Sequence, residues 1–191
     1  PLEQLRSELS GSQHQIIAAD LSTPSGRTTL LGAARNFHVD TLINNAGISA
    51  HALLQDVDAA HLDWYEELMR VNLWGTIWCT HAALPHLKAS RGRLVAVSSL
   101  AGLVGVPGRT AYCTSKFAMN GFMEALRTEL LNDGVSVTIA YPGVVATDIR
   151  NLAHDSAENA DRIKDLVKRG DISAYVEMRP GDILIIPQGW F

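Results

Sequence analysis

Four short runs of apolar, β-branched residues alternate with longer segments of helical periodicity, and this alternation constrains the fold more than any other feature of the sequence. The runs cover residues 15–19, 41–43, 93–97 and 135–140. Parallel strands need a crossover connection that usually contains a helix, so strands and helices alternate along the chain. The sequence therefore predicts an α/β fold, with a doubly wound parallel sheet covered by helices on both faces.

Helical periodicity fills the segments between these runs. It predicts helices over residues 2–8, 24–36, 58–89 and 112–132, and a charged helical pattern follows at 155–170. The segment 58–89 is too long for one straight helix, and Asn72, Gly75 and Pro85 are its expected bends. Gly134 follows the helix at 112–132 and can adopt the left-handed conformation that ends a helix.

Composition limits the class of protein and its partners. The chain has 191 residues, of which 47% are hydrophobic and 19% charged, which is enough for one buried core in a single domain. The net charge of −4 and the lack of a lysine- or arginine-rich run argue against nucleic acid as a partner. No apolar run approaches the ~20 residues needed to span a bilayer, and the first residues do not form a signal peptide.

Cysteine and histidine usage predicts neither a disulfide framework nor a metal site. The two cysteines, Cys79 and Cys113, do not form a CxxC pair, and we expect them to be buried small side chains in a cytoplasmic protein. No pair among the seven histidines has ligand spacing supported by a third ligand.

Polar or glycine-containing sequence follows each of the four predicted strands. These segments are Asp20-Leu21, Asn44-Asn45-Ala46-Gly47, Ser98-Ser99 and Pro142-Gly143. Each one alone is consistent with ordinary turn chemistry between a strand and a helix. Ligands of doubly wound sheets, however, bind beyond the carboxyl ends of the strands. Four such segments in succession therefore favour one common ligand.

Tyr112 and Lys116 are four residues apart at the start of a predicted helix, so both side chains lie on one face. A free tyrosine has a pKa of about 10, and an ammonium group nearby favours the phenolate and lowers that pKa. Such a tyrosine can act as general acid or base in the interconversion of an alcohol and a carbonyl. Alone, this pair is a weak signal, because most pairs of this kind are solvated surface residues.

The combination of motifs resembles the short-chain dehydrogenase/reductase family over about residues 15 to 150. The matching residues, in the order of the family, are Asn44 to Gly47, Asn72, Ser99, Tyr112 to Lys116 and Pro142 to Thr147. The spacing of Ser99 from Tyr112 also agrees and identifies Ser99, rather than Ser98, as the catalytic serine. The sequence around these motifs is especially similar to hydroxysteroid dehydrogenases and related bacterial oxidoreductases.

The resemblance implies a Rossmann-like fold and a catalytic group of four residues. Tyr112 would exchange the hydroxyl proton while the nicotinamide takes or gives the hydride. Lys116 would lower the pKa of the tyrosine and bind the nicotinamide ribose, and Ser99 would hold the substrate oxygen. Asn72 would open its helix locally around a water of the proton relay.

The resemblance also implies that the chain binds NAD or NADP. Besides Tyr112 and Lys116, the residues implied to contact the cofactor are Asp20, Leu21, Asn44, Ala46, Gly47, Pro142, Gly143 and Thr147. Asp20 would accept a hydrogen bond from the adenine, and Thr147 would reach the nicotinamide carboxamide. The substrate would be a small molecule with an alcohol or carbonyl group, bound by the region after Thr147 and by the loop at residues 100–108.

The glycine-rich phosphate loop of the family, TGxxxGxG, does not occur in the 191 residues. The glycine-rich segment at residues 102–108 lies before the catalytic helix and is not that loop. The family sheet has the order 3-2-1-4-5-6-7, so the expected fold lacks the first two strands, and residues 15–19 would be the third. Cofactor preference cannot be assigned, because its determinant belongs to the absent part. Two functions therefore stand against each other: an active oxidoreductase, and an inactive fragment that serves as a binding or assembly module.

Residues 150–191 form an atypical substrate-side tail. Within it, residues 181–187 are predicted to be the last strand of the same sheet. Residues 180–190 also resemble a PGD-strand-PxGW segment of cupin-type oxygenases; we favour the strand and assign no metal. The helices at 58–89 and 112–132 carry more large apolar residues than one buried face requires, including Trp64, Trp74 and Trp78. Relatives pair these helices, so a homodimer or homotetramer is expected.

Overall fold

The computed structural model describes residues 14–34, 38–143, 149, 154–155 and 183–185. Its strands are β1 (Thr41–Asn44), β2 (Ala50–His51), β3 (Arg93–Val97), β4 (Ser136–Pro142), β5 (His154–Asp155) and β6 (Ile183–Ile185). Four of them form one sheet in the order β1-β3-β4-β6, and every neighbouring pair is parallel. Strands β2 and β5 form a separate parallel pair. The predicted parallel α/β sheet is confirmed.

The prediction of a strand at residues 15–19 is wrong. These residues are described and form no strand. In the family order this strand pairs only with the second strand, and no described strand lies on that side of β1. A strand needs a neighbour to satisfy its backbone N–H and C=O groups, so the apolar run alone does not produce one. By contrast, the strand predicted at 181–187 is confirmed, since Ile183–Ile185 pairs with the end of β4.

The described residues contain four α-helices: α1 (Pro24–Ala34), which precedes β1, and α2 (Asp63–Leu68), α3 (Gly75–Ser90) and α4 (Thr110–Glu129), which lie between strands. A π-helical turn, Met69–Trp74, joins α2 to α3, so the regular α-helix is interrupted at Asn72 and resumes at Gly75, two of the three predicted bends. At the third, Pro85, α3 continues as one α-helix from Gly75 to Ser90. Gly134 adopts the left-handed conformation, with φ of 73°, at the end of the 3-10 turn Leu131–Asp133 that follows α4. The helix predicted at 2–8 lies outside the described residues, as do positions 156–170. Asp155 itself belongs to β5 rather than to a helix.

The hydrophobic core lies between the sheet and helices α3 and α4. Its fully buried members are Leu87 of α3, Met119 and Met123 of α4, Leu94 and Ala96 of β3, and Ile139 of β4. Because helix α4 packs here through Met119 and Met123, the first turns of the same helix are fixed beside the carboxyl ends of β3 and β4. This places Tyr112 and Lys116 at the edge where parallel strands present their ligand-binding loops.

Candidate active site

Tyr112 and Lys116 lie one turn apart on the inner face of α4. Their exposed fractions are 6% and 3%, and the Lys116 Nζ is 5.8 Å from the centroid of the Tyr112 ring. The ammonium donates a 2.9 Å hydrogen bond to the carbonyl oxygen of Val97, the last residue of β3. This bond links the catalytic helix directly to the end of the sheet.

Ser99 completes the group from the loop that follows β3. It begins the short 3-10 turn Leu100–Gly102, and its Oγ accepts a 3.2 Å hydrogen bond from the backbone N–H of Ala101. The Ser99 side chain also lies close enough to the phenol of Tyr112 to lower its pKa. The serine and tyrosine predicted to act on one substrate oxygen therefore lie together.

Asn72 is fully buried within the π-helical turn and ties three parts of the site together. Its Oδ1 accepts a 2.8 Å bond from the N–H of Ile48, and its Nδ2 donates to the Ile48 carbonyl at 3.0 Å and to the Ser115 Oγ at 2.9 Å. The chain is π-helical at Asn72, which agrees with the predicted local opening of the helix, and the role of Asn72 in holding a water of the proton relay stays a prediction. The amide thereby fixes the loop after β1 against the catalytic helix.

The prediction that the pKa of Tyr112 is lowered is wrong for this structure. Burial raises the pKa of the phenol, and the Ser99 hydroxyl and the charge of Arg109 act against this rise without reversing it. Lys116, which was expected to lower the pKa of Tyr112, is not among the groups that shift it. Burial lowers the pKa of Lys116 itself to about 8, so the ammonium is partly neutral at mildly alkaline pH and its field is weaker.

Arg109 is a neighbour of the site that the sequence analysis did not identify. Its guanidinium lies 5.1 Å from the centroid of the Tyr112 ring, and it contacts the His51 ring and the Ser49 hydroxyl. Arg109 directly precedes α4, three residues before Tyr112, and this i, i+3 spacing was the available signal. The positive charge lowers the pKa of Tyr112 in opposition to the larger effect of burial.

The loop after β1 comes close to both Asn72 and Lys116 at Gly47. A Cβ added to Gly47 would lie 3.3 Å from Asn72 Oδ1 and 3.6 Å from Lys116 Nζ, so glycine permits this close approach. Ala46 is exposed, whereas Asn44 is buried and donates from Nδ2 to the Thr80 Oγ1 at 3.0 Å. The side chain of Asn44 therefore bonds to helix α3.

Asp20 and Leu21 lie in the turn that precedes α1. The carboxylate of Asp20 is exposed and accepts a 2.9 Å bond from the N–H of Ser22, and hydrogen bonding by Ser22 lowers its pKa. Arg27 of α1 donates to the carbonyl of Leu21 at 3.0 Å. The side chain of Leu21 faces Gly75 at the start of α3, where an added Cβ would lie 3.5 Å from it.

Pro142 and Gly143 lie at the end of β4 and are both half-buried. They are on the same edge of the sheet as Ser99, as predicted from the strand order. Thr147, the residue predicted to reach the nicotinamide carboxamide, lies outside the described residues.

Two buried polar residues beside the catalytic group were also not assigned a function from the sequence. Asn120 lies one turn beyond Lys116 on α4, and Ser98 precedes Ser99; both are buried and they hydrogen-bond each other. The signal for Asn120 was its position four residues after Lys116 and eight after Tyr112, on the same face of the helix.

Metal-binding clusters and membrane-spanning helices are both absent from the described part of the chain. Within it, histidine, cysteine, aspartate and glutamate side chains do not gather in groups of three that are able to hold a metal ion. None of the helices described there is both long enough and apolar enough to cross a membrane. Cys79 and Cys113 are buried free thiols.

Comparison with known proteins gives consistent matches. The family model for short chain dehydrogenases matches residues 1–158. The 11-beta-hydroxysteroid dehydrogenase-like 4A of Arabidopsis thaliana is 41% identical over 107 residues, which are 56% of this chain and 35% of that protein. Dehydrogenase/reductase SDR family member 7B of Mus musculus is 35% identical over 160 residues, covering 78% of this chain and 48% of its own length. The chain thus spans about half the length of these relatives or less.

The fold also matches a solved structure. A short-chain dehydrogenase from Streptomyces avermitilis aligns with a TM-score of 0.78, covering 97% of this chain and 75% of its own, at 21% sequence identity. At this identity the likeness concerns the fold, and it agrees with the Rossmann-like parallel sheet predicted from the sequence.

Proposed function

Because this chain belongs to the short-chain dehydrogenase family, we propose that it is an oxidoreductase that transfers hydride between NAD or NADP and a secondary alcohol or ketone. The observation that carries the proposal is the convergence of Ser99, Tyr112 and Lys116 at one edge of the sheet. The Ser99 hydroxyl lies close enough to the phenol of Tyr112 to lower its pKa, as expected of two groups that act on one substrate oxygen.

Tyr112 and Ser99 would act on the substrate oxygen in different ways. The phenol of Tyr112 donates its proton to a carbonyl oxygen, or as phenolate accepts the proton of an alcohol. The Ser99 hydroxyl donates a hydrogen bond to the same oxygen and stabilises the negative charge that develops on it. The loop between Ser99 and α4 supplies the half-buried side chains of Leu103, Val104 and Val106, which supports a mostly apolar small-molecule substrate.

The residues around Gly47 fit a dinucleotide. Lys116, an N–H donor suited to ribose hydroxyls, lies beside Gly47, whose missing side chain leaves the backbone accessible. The cofactor, when bound, supplies the hydride at C4 of its nicotinamide ring. Tyr112, Lys116, Pro142, Gly143 and Thr147 would hold the nicotinamide end, and Asp20, Leu21, Asn44, Ala46 and Gly47 would hold the adenosine. No described residue is assigned to the pyrophosphate.

A second candidate function is a binding or assembly module that keeps the catalytic group without turnover. Two observations favour it: the 191 residues contain no TGxxxGxG motif, and β1 is at the edge of the described sheet with Ile43 60% exposed. Backbone N–H groups at the start of a helix provide much of the affinity for a pyrophosphate in this fold. Weak cofactor binding together with protein association would support this candidate.

Self-association and location are parts of the same proposal. Trp74 and Trp78 of the bent helical segment are 48% and 43% exposed, and Phe117 of α4 is 45% exposed. Large apolar side chains on these two helices support a homodimer or homotetramer. Sedimentation at micromolar concentration tests this, and a strictly monomeric species contradicts it. The buried free thiols of Cys79 and Cys113 support a reducing, cytoplasmic location.

The decisive experiment follows nicotinamide absorbance with NAD or NADP and a panel of secondary alcohols and ketones. Tyr112→Phe removes only the hydroxyl and should reduce kcat by at least about 100-fold, the usual effect of a general acid-base residue. Turnover that survives this substitution would contradict the proposed mechanism. Calorimetric titration with each cofactor separates the two candidate functions, since micromolar binding is expected only of the enzyme.

A further inference from the structure

Asn120 is a buried amide whose two polar atoms both bond to the chain around Ser99. Its Oδ1 accepts a 2.6 Å hydrogen bond from the Ser98 Oγ, and its Nδ2 donates a 2.9 Å bond to the carbonyl oxygen of Gly102. Asn120 is 8% exposed and Ser98 is 3% exposed. We call this arrangement of Ser98, Asn120 and Gly102 the Asn120 clip.

The clip holds Ser99 from both sides. On one side, the N–H of Ser98 also donates to the Ala140 carbonyl of β4 at 2.8 Å, so Ser98 is fastened to the sheet as well as to α4. On the other side, the N–H of Gly102 donates to the Ser99 carbonyl at 2.9 Å, and the N–H of Ala101 donates to the Ser99 Oγ. The serine lies between these two fixed points.

The fit of the clip is tight. A Cβ added to Gly102 would lie 2.8 Å from the Nδ2 of Asn120, 2.8 Å from the Oγ of Ser98 and 3.1 Å from the Cβ of Lys116. The 3-10 turn therefore packs directly on the helix that carries Tyr112 and Lys116. Only a side chain with one acceptor and one donor at this position satisfies both the serine hydroxyl and the glycine carbonyl.

We propose that Asn120 is a positioning residue for Ser99, which sets the serine hydroxyl at its working distance from Tyr112. The inference rests on the proposed function, in which Ser99 and Tyr112 act on one substrate oxygen. Tyr112 and Asn120 both belong to helix α4. The Asn120 clip therefore fixes Ser99 relative to the same helix that carries the tyrosine. Catalysis is sensitive to this distance, because a displacement of about 1 Å can reduce a rate by about 100-fold.

Amide hydrogen exchange followed by NMR tests the positioning without any need for turnover. The N–H groups of Ala101 and Gly102 both donate to Ser99, so their exchange rates report how firmly the serine is held. Asn120→Ala should speed the exchange of both amides by about 10-fold, the effect of losing one ordinary hydrogen bond. Unchanged exchange at these two amides overturns the inference.

Two further variants separate the halves of the clip. Asn120→Asp keeps an acceptor for Ser98 but turns a carboxylate oxygen toward the Gly102 carbonyl, so it should free the turn. Ser98→Ala keeps the bond to Gly102 and should have the smaller effect on the Gly102 amide. The matched control is Leu87→Val, which removes a methylene from a fully buried residue of α3 and should leave both amides unchanged relative to other core amides.

Turnover measured in two backgrounds tests the consequence for catalysis. Asn120→Ala should lower kcat by about 10-fold in the wild-type background but by less than about 2-fold in Ser99→Ala, because its effect passes through the serine. Equal losses in both backgrounds overturn the inference and leave the proposed role of Ser99 intact. Full activity of Ser99→Ala overturns the proposed role of Ser99, and the inference falls with it.

Discussion

The catalytic group and the Asp20 segment, two parts of the predicted site, are held in different ways. Asn72 bonds residues 24 and 43 positions away along the chain, and Lys116 bonds Val97 across 19 positions. Asp20, in contrast, bonds through its carboxylate to Ser22 only two residues away. The catalytic group is thus part of the tertiary structure, whereas the Asp20 carboxylate belongs to a local turn.

The sheet explains this difference. Ser99 follows β3, and Lys116 bonds to the last residue of β3, which has paired neighbours on both sides. Residues 15–19 form no strand, so Asp20 follows a segment without a sheet to fix its direction. The predicted site residues that are held by tertiary contacts are those positioned by β1, β3, β4 and α4.

The largest change in the free energy of unfolding is expected from Asn72→Leu. This change leaves the N–H and carbonyl of Ile48 and the Ser115 hydroxyl without their amide partner inside the protein. Buried polar groups without partners cost about 1–3 kcal/mol each, so we expect a loss of about 4 kcal/mol in the free energy of unfolding. Urea unfolding measures it. The control is Asn132→Ala at an exposed position, which should leave the free energy of unfolding nearly unchanged. Equal losses of stability in the two variants would contradict the view that the catalytic group is held by tertiary contacts.

A gain in stability is expected from Lys116→Met at neutral pH. Burial lowers the pKa of this amine from 10.5 to about 8, so the unfolded chain holds its proton to higher pH than the folded one. Below about pH 8 both states are protonated and folding bears the full cost of the buried charge, about 3 kcal/mol. Loss of the bond to Val97 offsets about 1 kcal/mol of the gain.

The pH dependence identifies the cause of this gain. As pH rises from about 8 towards 10.5, the folded wild type gains stability while the methionine variant does not, so the difference between them should shrink. Unfolding free energies at about pH 7 and about pH 10 test this. A constant difference would mean that packing of the methionine, and not the removal of a buried charge, stabilises the variant.

The order of the motifs along the chain was enough to predict that Ser99, Tyr112 and Lys116 lie close together. Strand ends of a parallel sheet share one edge, and an i, i+4 pair shares one helix face, so Ser99, Tyr112 and Lys116 had to converge once the sheet formed. The local widening at Asn72 was predictable from the resemblance. The convergence thus depended on connectivity and periodicity, whereas the choice of Ser99 and Asn72 depended on the family resemblance.

Two other features depended on information that the sequence does not display. The direction of the Tyr112 pKa follows from a balance of burial, the Ser99 hydroxyl and the Arg109 charge, and burial appears only with the packed structure. The strand predicted at residues 15–19 had the right composition, but strand formation requires a neighbour. Asn120 lies on α4 and Arg109 directly precedes it, and only the packing of the 3-10 turn and of β2 shows what these two polar side chains contact.

A smaller effect is expected from Arg109→Met, which removes a positive charge near Tyr112. The guanidinium favours the phenolate, so its loss should raise the pKa of Tyr112 further and shift the pH profile of alcohol oxidation to higher pH. Arg109→Lys keeps the charge and should shift the profile less. Fluorotyrosine incorporation with fluorine NMR, assigned by Tyr112→Phe, follows the same pKa without turnover. If Lys116→Met shifts the profile more than Arg109→Met, the lysine is the stronger electrostatic partner of Tyr112.

The smallest change in stability is expected from Asp20→Asn. This variant tests whether the Asp20 carboxylate belongs only to a local turn. Hydrogen bonding by Ser22 lowers the pKa of the Asp20 carboxyl, so any contribution to stability is present above the usual pKa of aspartate and is lost as the pH falls through the lowered value. Since the carboxylate is exposed and its bond to Ser22 is local, the unfolding midpoint should be the same for the variant and the wild type at neutral and at acidic pH. Asparagine keeps an acceptor for the Ser22 N–H and for an adenine amino group, so cofactor affinity should fall by only about 3-fold or less. Parallel calorimetric titration and thermal unfolding of Asp20→Asn and Asn72→Leu measure both quantities. A stability loss for Asp20→Asn as large as that for Asn72→Leu would show that the Asp20 turn is tied into the tertiary structure, and the contrast between the two regions would then be wrong.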